Sequence, residues 1–217
     1  MLSVYKREFI DLALSKGVLK FGEFTLKSGR VSPYFFNIGD ISSGNSISRI
    51  GKCYADLIQS SSSGADFLFG PAYKGIPLVV ATSIALLKYY DTDISYAFNR
   101  KERKDHGEGG EIIGQRPSGN VLILDDVISA GTSIREAYKI CKRSGANPVG
   151  VIVSIDRQET GLNNLSAIEE LEEELNIEIF SIVSLDDIIQ YLEQNGNFQK
   201  QLASIQRYQG EYGVGSR

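Results

Sequence analysis

The residues with the clearest chemical meaning lie between 121 and 133. Val121-Leu122-Ile123-Leu124 is an apolar run, followed by Asp125 and Asp126 and then by Val127-Ile128-Ser129-Ala130-Gly131-Thr132-Ser133. Two adjacent carboxylates at the end of a buried strand are costly unless positive charge or hydrogen-bond donors face them. A ribose diol supplies donors, and a bound Mg²⁺ would supply charge. Gly131 lets the backbone approach a ligand closely. The amides and hydroxyls of residues 129 to 133 can then surround a phosphate at a helix N-terminus. A plain strand, turn and N-cap at Thr132 would account for Gly131 and Thr132, but not for the paired aspartates.

Three other segments carry chemistry. Gly70-Pro71-Ala72-Tyr73-Lys74-Gly75 makes a tight loop with a cation near its tip. Alone it reads as an ordinary turn between a strand and a helix. Asn99 to Gly110 holds four cations (Arg100, Lys101, Arg103, Lys104), the only histidine, His106, and three glycines. It reads as a loop that is mobile when empty, suited to cover a leaving group that gains negative charge. A solvated charge run explains its composition equally well. Glu102 and Asp105 are available to pair with these cations when such a loop is open. Lys27-Ser28-Gly29-Arg30 and Pro33-Tyr34-Phe35-Phe36-Asn37 lie together near the N-terminus, where a flat substrate could rest against Phe35, Phe36 or their backbone. A small aromatic core is the competing reading. Arg157, in Asp156-Arg157-Gln158-Glu159, can bind a carboxylate in a fork; the alternative is a surface salt bridge to Asp156 or Glu159. Gly51-Lys52-Cys53 lacks P-loop spacing, Gly107 to Gly110 completes no dinucleotide fingerprint, and a single histidine excludes paired-histidine metal motifs.

These segments must be positioned by alternating elements. Phe9, Ile10, Ala13 and Leu14 predict a helix that stops near Gly17. Residues 18 to 38 read as a small β-rich excursion. Then follow a helix near 46–60, a serine-rich surface loop, a strand at 67–69, a helix near 76–88, a strand at 94–98 and the polar loop of about 100–117. The strand at 121–124, a helix near 132–143, a strand at 149–155, an acidic amphipathic helix near 165–175 and a strand at 177–183 come next. A helix capped by Ser184 and Asp187, a last helix near 197–209 and a loose tail after Gly210 end the chain. Such alternation implies an α/β fold with a mostly parallel sheet flanked by helices, with ligands at the carboxyl ends of the strands. The domain reading is 1–43 as an N-terminal helix and hood, and 44–217 as the core. The chain has 217 residues and a net charge of −4, which gives no basic footprint for nucleic acid. Cys53 and Cys141 suit two buried thiols in a reducing cytoplasm. No signal pattern opens the sequence, and no apolar run is long enough to span a bilayer.

The segment 121–133 resembles the signature of type I phosphoribosyltransferases, which bind PRPP (5-phosphoribosyl 1-diphosphate). In them the acidic pair meets the ribose hydroxyls and the following turn, here Val127 to Ser133, holds the 5-phosphate. The order Arg-Lys-x-x-Lys-x-His-Gly resembles the lid of the orotate phosphoribosyltransferases, as do the Lys-Ser-Gly-Arg and Pro-Tyr-Phe-Phe-Asn strings. The likeness is to their bacterial form and runs colinearly from Phe9 to about Leu192. It implies the type I phosphoribosyltransferase fold with a β-rich hood. It implies that Lys27, Tyr73, Lys74, Arg100, Lys101, Lys104 and His106 contact PRPP, with a cis bond between Ala72 and Tyr73. Lys101 would act across a homodimer interface, and Lys104, with Asp125 and Asp126, would be catalytic. Phe35, Phe36, Ser129 and Arg157 would meet orotate, with Mg²⁺ bound mainly through PRPP and no metal site of the protein's own. Ser129 stands where the family commonly has threonine, which keeps the hydroxyl. A purine phosphoribosyltransferase and a PRPP-sensing regulator are the alternatives; the hood and Arg157 disfavour the first, and the acidic charge the second.

Overall fold

Apolar spacing sets the elements from the start of the chain. The computed structural model describes residues 2–26, 28–61, 63–104, 110–161 and 164–214. Helix α1 (Val4–Ser15) buries Phe9, Ile10, Leu12 and Ala13, and the chain turns at Gly17, whose φ of 65° suits a residue without a Cβ. Strands β1 (Leu19–Thr25) and β2 (Val31–Phe36) pair antiparallel and form the hood. A 3-10 turn at Ile38–Asp40 leads to α2 (Gly44–Ser61), β3 (Phe67–Gly70) and α3 (Gly75–Tyr90). The rest of the chain is β4 (Ser95–Lys104), β5 (Gly110–Gly114), β6 (Asn120–Leu124), α4 (Thr132–Arg143), β7 (Asn147–Asp156), α5 (Ala167–Leu175), β8 (Glu178–Ser184), α6 (Leu185–Asn195) and α7 (Gln199–Tyr212).

The six-stranded sheet has the order β5-β4-β3-β6-β7-β8. All its pairings are parallel except β4 with β5. Successive residues on its central strands face opposite cores. Leu68, Leu122, Leu124 and Ile152 join the core of α1, α2, α3, α6 and α7. Phe67, Phe69, Val121, Ile123, Val151 and Val153 join the core of α4 and α5. Burial on both faces explains why these strands read as unbroken apolar runs. Chain order reverses on either side of β3, so the loops after β3 and β6 lie side by side at the carboxyl ends of the sheet.

Four local readings are corrected. Residues 100–104 and 110–114 form an antiparallel ribbon, with Asn99 opposite Ile112 and Lys104 opposite Gly110. Its anchor is Ile112, which packs on the second core, and Ile113, which pairs with Phe98; the polar composition of 99–110 concealed this edge strand. The serine run begins inside α2, where the hydroxyls of Ser60 and Ser61 donate to the carbonyls of Leu57 and Ile58. The C-terminal segment is docked beyond Gly210: Thr160 N donates to Tyr212 O at 2.7 Å, and Val214 N to Gln158 O at 2.9 Å. Thr132 is the first residue of α4 and not its cap; the N-cap is Gly131, with φ 69°. By contrast, Ser184 and Asp187 do form a reciprocal capping box at the start of α6.

Gly51 has a packing role. A Cβ there would lie 2.4 Å from the carbonyl oxygen of Ala81, so α2 and α3 approach closely only because Gly51 is bare. Among the described residues no helix is long and apolar enough to cross a membrane, and both cysteines are buried and unbridged.

Candidate functional site

The end of β6 delivers Asp125 and Asp126 into the crevice beside β3. They are only 6% and 5% exposed. Their backbone continues along β7: Asp125 N donates to Ile152 O, Ser154 N donates to Asp126 O, and Val127 bridges Ile155. The carbonyl of Asp125 accepts the Tyr54 hydroxyl at 2.7 Å. The two side chains are held differently. Asp126 Oδ2 meets Lys74 Nζ at 2.6 Å. Asp125 has no such cation; its Oδ2 accepts Ser133 Oγ at 2.7 Å and its Oδ1 accepts the Asp126 amide at 2.9 Å. Burial, opposed by the Ser133 hydrogen bond and reinforced by the charge of Asp126, pushes the Asp125 carboxyl up to about 6.

Residues 127–133 wrap from this acidic pair to the start of α4. Val127 and Ile128 are half-buried, Ser129, Ala130 and Thr132 are exposed, and Ser133 is half-buried. Gly131 offers no side chain to accept the first-turn amides of α4, which leaves donors for an anion. A Cβ on Gly131 would also meet Leu171 Cδ1 at 2.7 Å.

The loop 71–74 crosses to the same place. The Ala72–Tyr73 peptide is cis, as the family likeness leads one to expect. Gly70 and Gly75 clasp each other at the loop base: a Cβ on Gly70 would lie 2.3 Å from the carbonyl oxygen of Gly75. The amide of Ala72 donates to Asn99 Oδ1 at 2.9 Å. Tyr73 is exposed, and Lys101 Nζ lies 5.5 Å from its ring centre. Arg100 and Lys101 line a cavity of about 540 Å³ with Glu111 and Arg143. The backbone of Lys104 ends β4. The side chain of Lys104, together with Lys27 and His106, lies outside the described residues.

On the hood, β2 alternates. Ser32, Tyr34 and Phe36 face inward, while Val31 and Phe35 face out. The ring of Phe36 is 7% exposed and stacks on Phe9, which corrects the idea that it offers an open platform; only its backbone remains for that role. Phe35 is 37% exposed and stacks on Phe24. Arg157 joins the hood to the core. Its guanidinium lies 4.3 Å from the centre of the Tyr34 ring, its Nη2 donates to Ser32 Oγ at 3.1 Å, and its Nε donates to Glu159 Oε1 at 2.8 Å. The pairing with Glu159 is one of the alternatives the sequence left open, but it is mostly buried and not a surface bridge. Tyr34 is fully buried, and its hydroxyl has no hydrogen-bond partner among the described residues.

Sequence reasoning missed Asn99, Tyr54 and Tyr208 as supports of this site. Tyr54 and Asn99 brace the loops after β6 and β3, and the Tyr208 hydroxyl donates to Glu159 Oε1 at 3.0 Å. Each acts on a segment 27 or more residues away, and no local pattern marks such a contact.

The site thus combines two carboxylates, one with a lysine and one without, an uncapped helix start and a hood tied to the core by an arginine. Comparison with known proteins adds a family. Residues 40–188 match the model of the phosphoribosyl transferase domain. The chain is 52% identical over 213 residues to an orotate phosphoribosyltransferase of Aliivibrio fischeri (strain MJ11), covering 98% of this chain and 100% of that protein. It is equally similar, at 52% with the same coverage, to that of Vibrio parahaemolyticus serotype O3:K6. A crystal structure of the orotate phosphoribosyltransferase of Francisella tularensis superposes with a TM-score of 0.84 at 42% identity, covering 94% of this chain and 98% of the other.

Proposed function

The chain belongs to the phosphoribosyltransferase family, and from that premise we propose that it works as an orotate phosphoribosyltransferase. It transfers the 5-phosphoribosyl group of PRPP to orotate, giving orotidine 5'-phosphate and pyrophosphate in pyrimidine biosynthesis. The observation that carries this reading is the acidic pair in its crevice: Asp125 and Asp126 are both buried, and Lys74 is paired with only one of them.

In the reaction the C1–oxygen bond to pyrophosphate breaks and a bond from C1 to N1 of orotate forms on the opposite face, N1 giving up its proton, which the departing pyrophosphate can accept. The ring carries oxocarbenium character between the two events. Asp125 and Asp126 hold the ribose hydroxyls, and Val127 to Ser133 hold the 5-phosphate with backbone amides and hydroxyls. Tyr73, Lys74, Arg100, Lys101, Lys104 and His106 gather on the pyrophosphate and take up its developing charge. Lys27 belongs to the same set, and Phe35, the backbone of Phe36, Ser129 and Arg157 receive orotate. The rate enhancement is mostly positioning and charge stabilisation in a site closed to water.

The residues present suit a Mg²⁺ brought in by PRPP. That ion favours one or two carboxylates together with substrate phosphates, and the buried acids at 125 and 126 supply that number. Asp125 and Asp126 are the carboxylates that would face it, and the ion would add positive charge beside the leaving group.

The working unit is a homodimer in which Lys101 reaches the neighbouring site. The exposed Ile84 and Leu87 on α3 support an apolar interface. Two buried, unbridged thiols support a cytoplasmic location. The test is the absorbance of orotate with purified protein, PRPP and Mg²⁺. Orotate loss matched by pyrophosphate release is expected. No orotate loss by folded protein would overturn the reading, and consumption of adenine or guanine instead would move it to a purine acceptor.

A further inference from the structure

The polar cluster behind Arg157 reaches beyond the site as the family likeness delimits it. Three elements converge there. From β2 come Ser32 and the face of Tyr34. From the segment after β7 come Arg157 and Glu159. From α7 comes Tyr208, whose ring also meets Tyr34 edge-on at 6.3 Å.

The arrangement has a definite geometry. A guanidinium presents its five N–H groups along two usable edges. One edge of Arg157 is spent: Nε and Nη2 both donate to Glu159 Oε1, at 2.8 and 2.5 Å. The second N–H of Nη2 goes to Ser32 Oγ at 3.1 Å, so on the outer edge Nη1 is the group left to meet a second carboxylate. The plane of the guanidinium is fixed beneath by Tyr34. Its rotation in that plane is fixed by Glu159 Oε1 on one side and Ser32 Oγ on the other. The Glu159 oxygen is held in turn by the Tyr208 hydroxyl at 3.0 Å, and burial with the nearby Glu159 charge pushes the Tyr208 phenol up to about 12, so it stays a donor.

The backbone beneath the cluster is also tied to the C-terminal segment. Glu159 bridges Gly213, and Thr160 and Val214 bond across as described above. Arg30 closes the far side, donating to Thr160 O at 2.9 Å and lying 4.8 Å from the Tyr212 ring centre. Helix α7 is therefore fastened to the residues that immediately follow Arg157.

We infer that Tyr208 is a positioning residue that acts through Glu159 to aim Nη1 of Arg157 at the carboxylate of the incoming base, so that the C-terminal helix helps set selectivity for an anionic pyrimidine. This rests on the reading of Arg157 as the partner of that carboxylate. Tyr208 touches no substrate itself. Without its hydroxyl, Glu159 and Arg157 pivot together about the Ser32 contact and Nη1 loses its alignment.

The experiment compares Tyr208→Phe, Arg157→Ala and the double variant by steady-state kinetics with orotate and PRPP varied in turn. Tyr208→Phe should raise KM for orotate about tenfold, the scale of one hydrogen bond to a charged group. It should lower kcat by less than KM rises and leave KM for PRPP in place. Arg157→Ala should raise KM for orotate further, and adding Tyr208→Phe to it should cost nothing more, because the hydroxyl acts only through the guanidinium. An unchanged KM for orotate in Tyr208→Phe, with Arg157→Ala impaired, overturns the inference and leaves the reading of Arg157 standing. An additive double variant overturns it too, since it would mark a general loss of packing. If Arg157→Ala leaves KM for orotate unaltered, the underlying reading falls with it.

Discussion

Asp125→Asn should make the empty protein more stable at neutral pH while disabling it. The carboxyl is 6% exposed, has no cation of its own and is pushed up to about 6 from an ordinary 3.8. The sign follows from the raised value. The stabilising contribution of the held proton is present in full below pH 3.8 and is lost as the pH rises through about 6. Above that, the ionised group costs the fold about 3 kcal/mol. An asparagine keeps the shape, keeps an acceptor for the Asp126 amide and can still bond Ser133, so most of that cost should be recovered. For a chain of this length each kcal/mol moves Tm by ~2–4 °C, so allowing for imperfect hydrogen bonds a rise of roughly 3–8 °C is expected at pH 7.5. At pH 5 the gap should shrink to roughly half, because the wild-type carboxyl is then largely protonated in the fold but not in the unfolded chain. Thermal unfolding of both proteins at the two pH values is the assay. All other titrating groups are common to both, so the difference isolates Asp125. The same variant should lose about 10- to 100-fold in kcat/KM for PRPP, as suits a lost charged hydrogen bond to the ribose. A variant less stable than wild type at pH 7.5, with a gap that ignores pH, would mean that the ionised Asp125 carries no such cost.

On the proposed role of Lys104 at the leaving group, Lys104→Ala should lower turnover by about 100-fold or more while Tm stays within a degree or two of wild type; steady-state kinetics and a melting curve decide it. Lys74→Ala should raise KM for PRPP about tenfold or more. Lys74 is itself 44% exposed, but its removal leaves the buried Asp126 without a cation, so a loss of about 1–3 kcal/mol in stability should accompany the kinetic effect, and a Tm drop with normal kinetics would make it a structural tie. Gly51→Ala should cost about 1–3 kcal/mol by forcing α2 from α3, where the new Cβ would sit 2.4 Å from a carbonyl oxygen; calorimetry at neutral pH would show the drop.

What could be read in advance depended on how many explanations a residue type admits. Buried neighbouring acids have few, so Asp125 and Asp126 pointed to the crevice without help from the fold. The central strands were legible because double-faced burial leaves apolar runs such as Val121 to Leu124. The ribbon of β4 and β5 was not, because an edge strand is mostly polar and its anchors are only Ile112 and Ile113. Phe35 and Phe36 were legible as a pair but not as opposites; the register of β2 decides which ring turns inward. Glu159 was visible as one of two possible partners for Arg157. Tyr208 was not, since the contact joins residues 49 apart on a helix with no motif of its own.

The unequal treatment of the two carboxylates ties these observations together. Lys74 satisfies Asp126 from across the crevice and so links the loop after β3 to the loop after β6. Asp125 is left with a hydroxyl and an amide, which are not enough to offset its burial. A fold selected only for stability would have no reason to keep a charge there, because a neutral residue of the same shape does better. The penalty has a use if a ligand brings hydroxyl donors to that oxygen. Binding then gains the relief of a cost already present in the empty protein, and a ligand placing a donor at Asp125 collects it. The costly carboxylate and the proposed preference for a sugar diol would then be the same feature of the site.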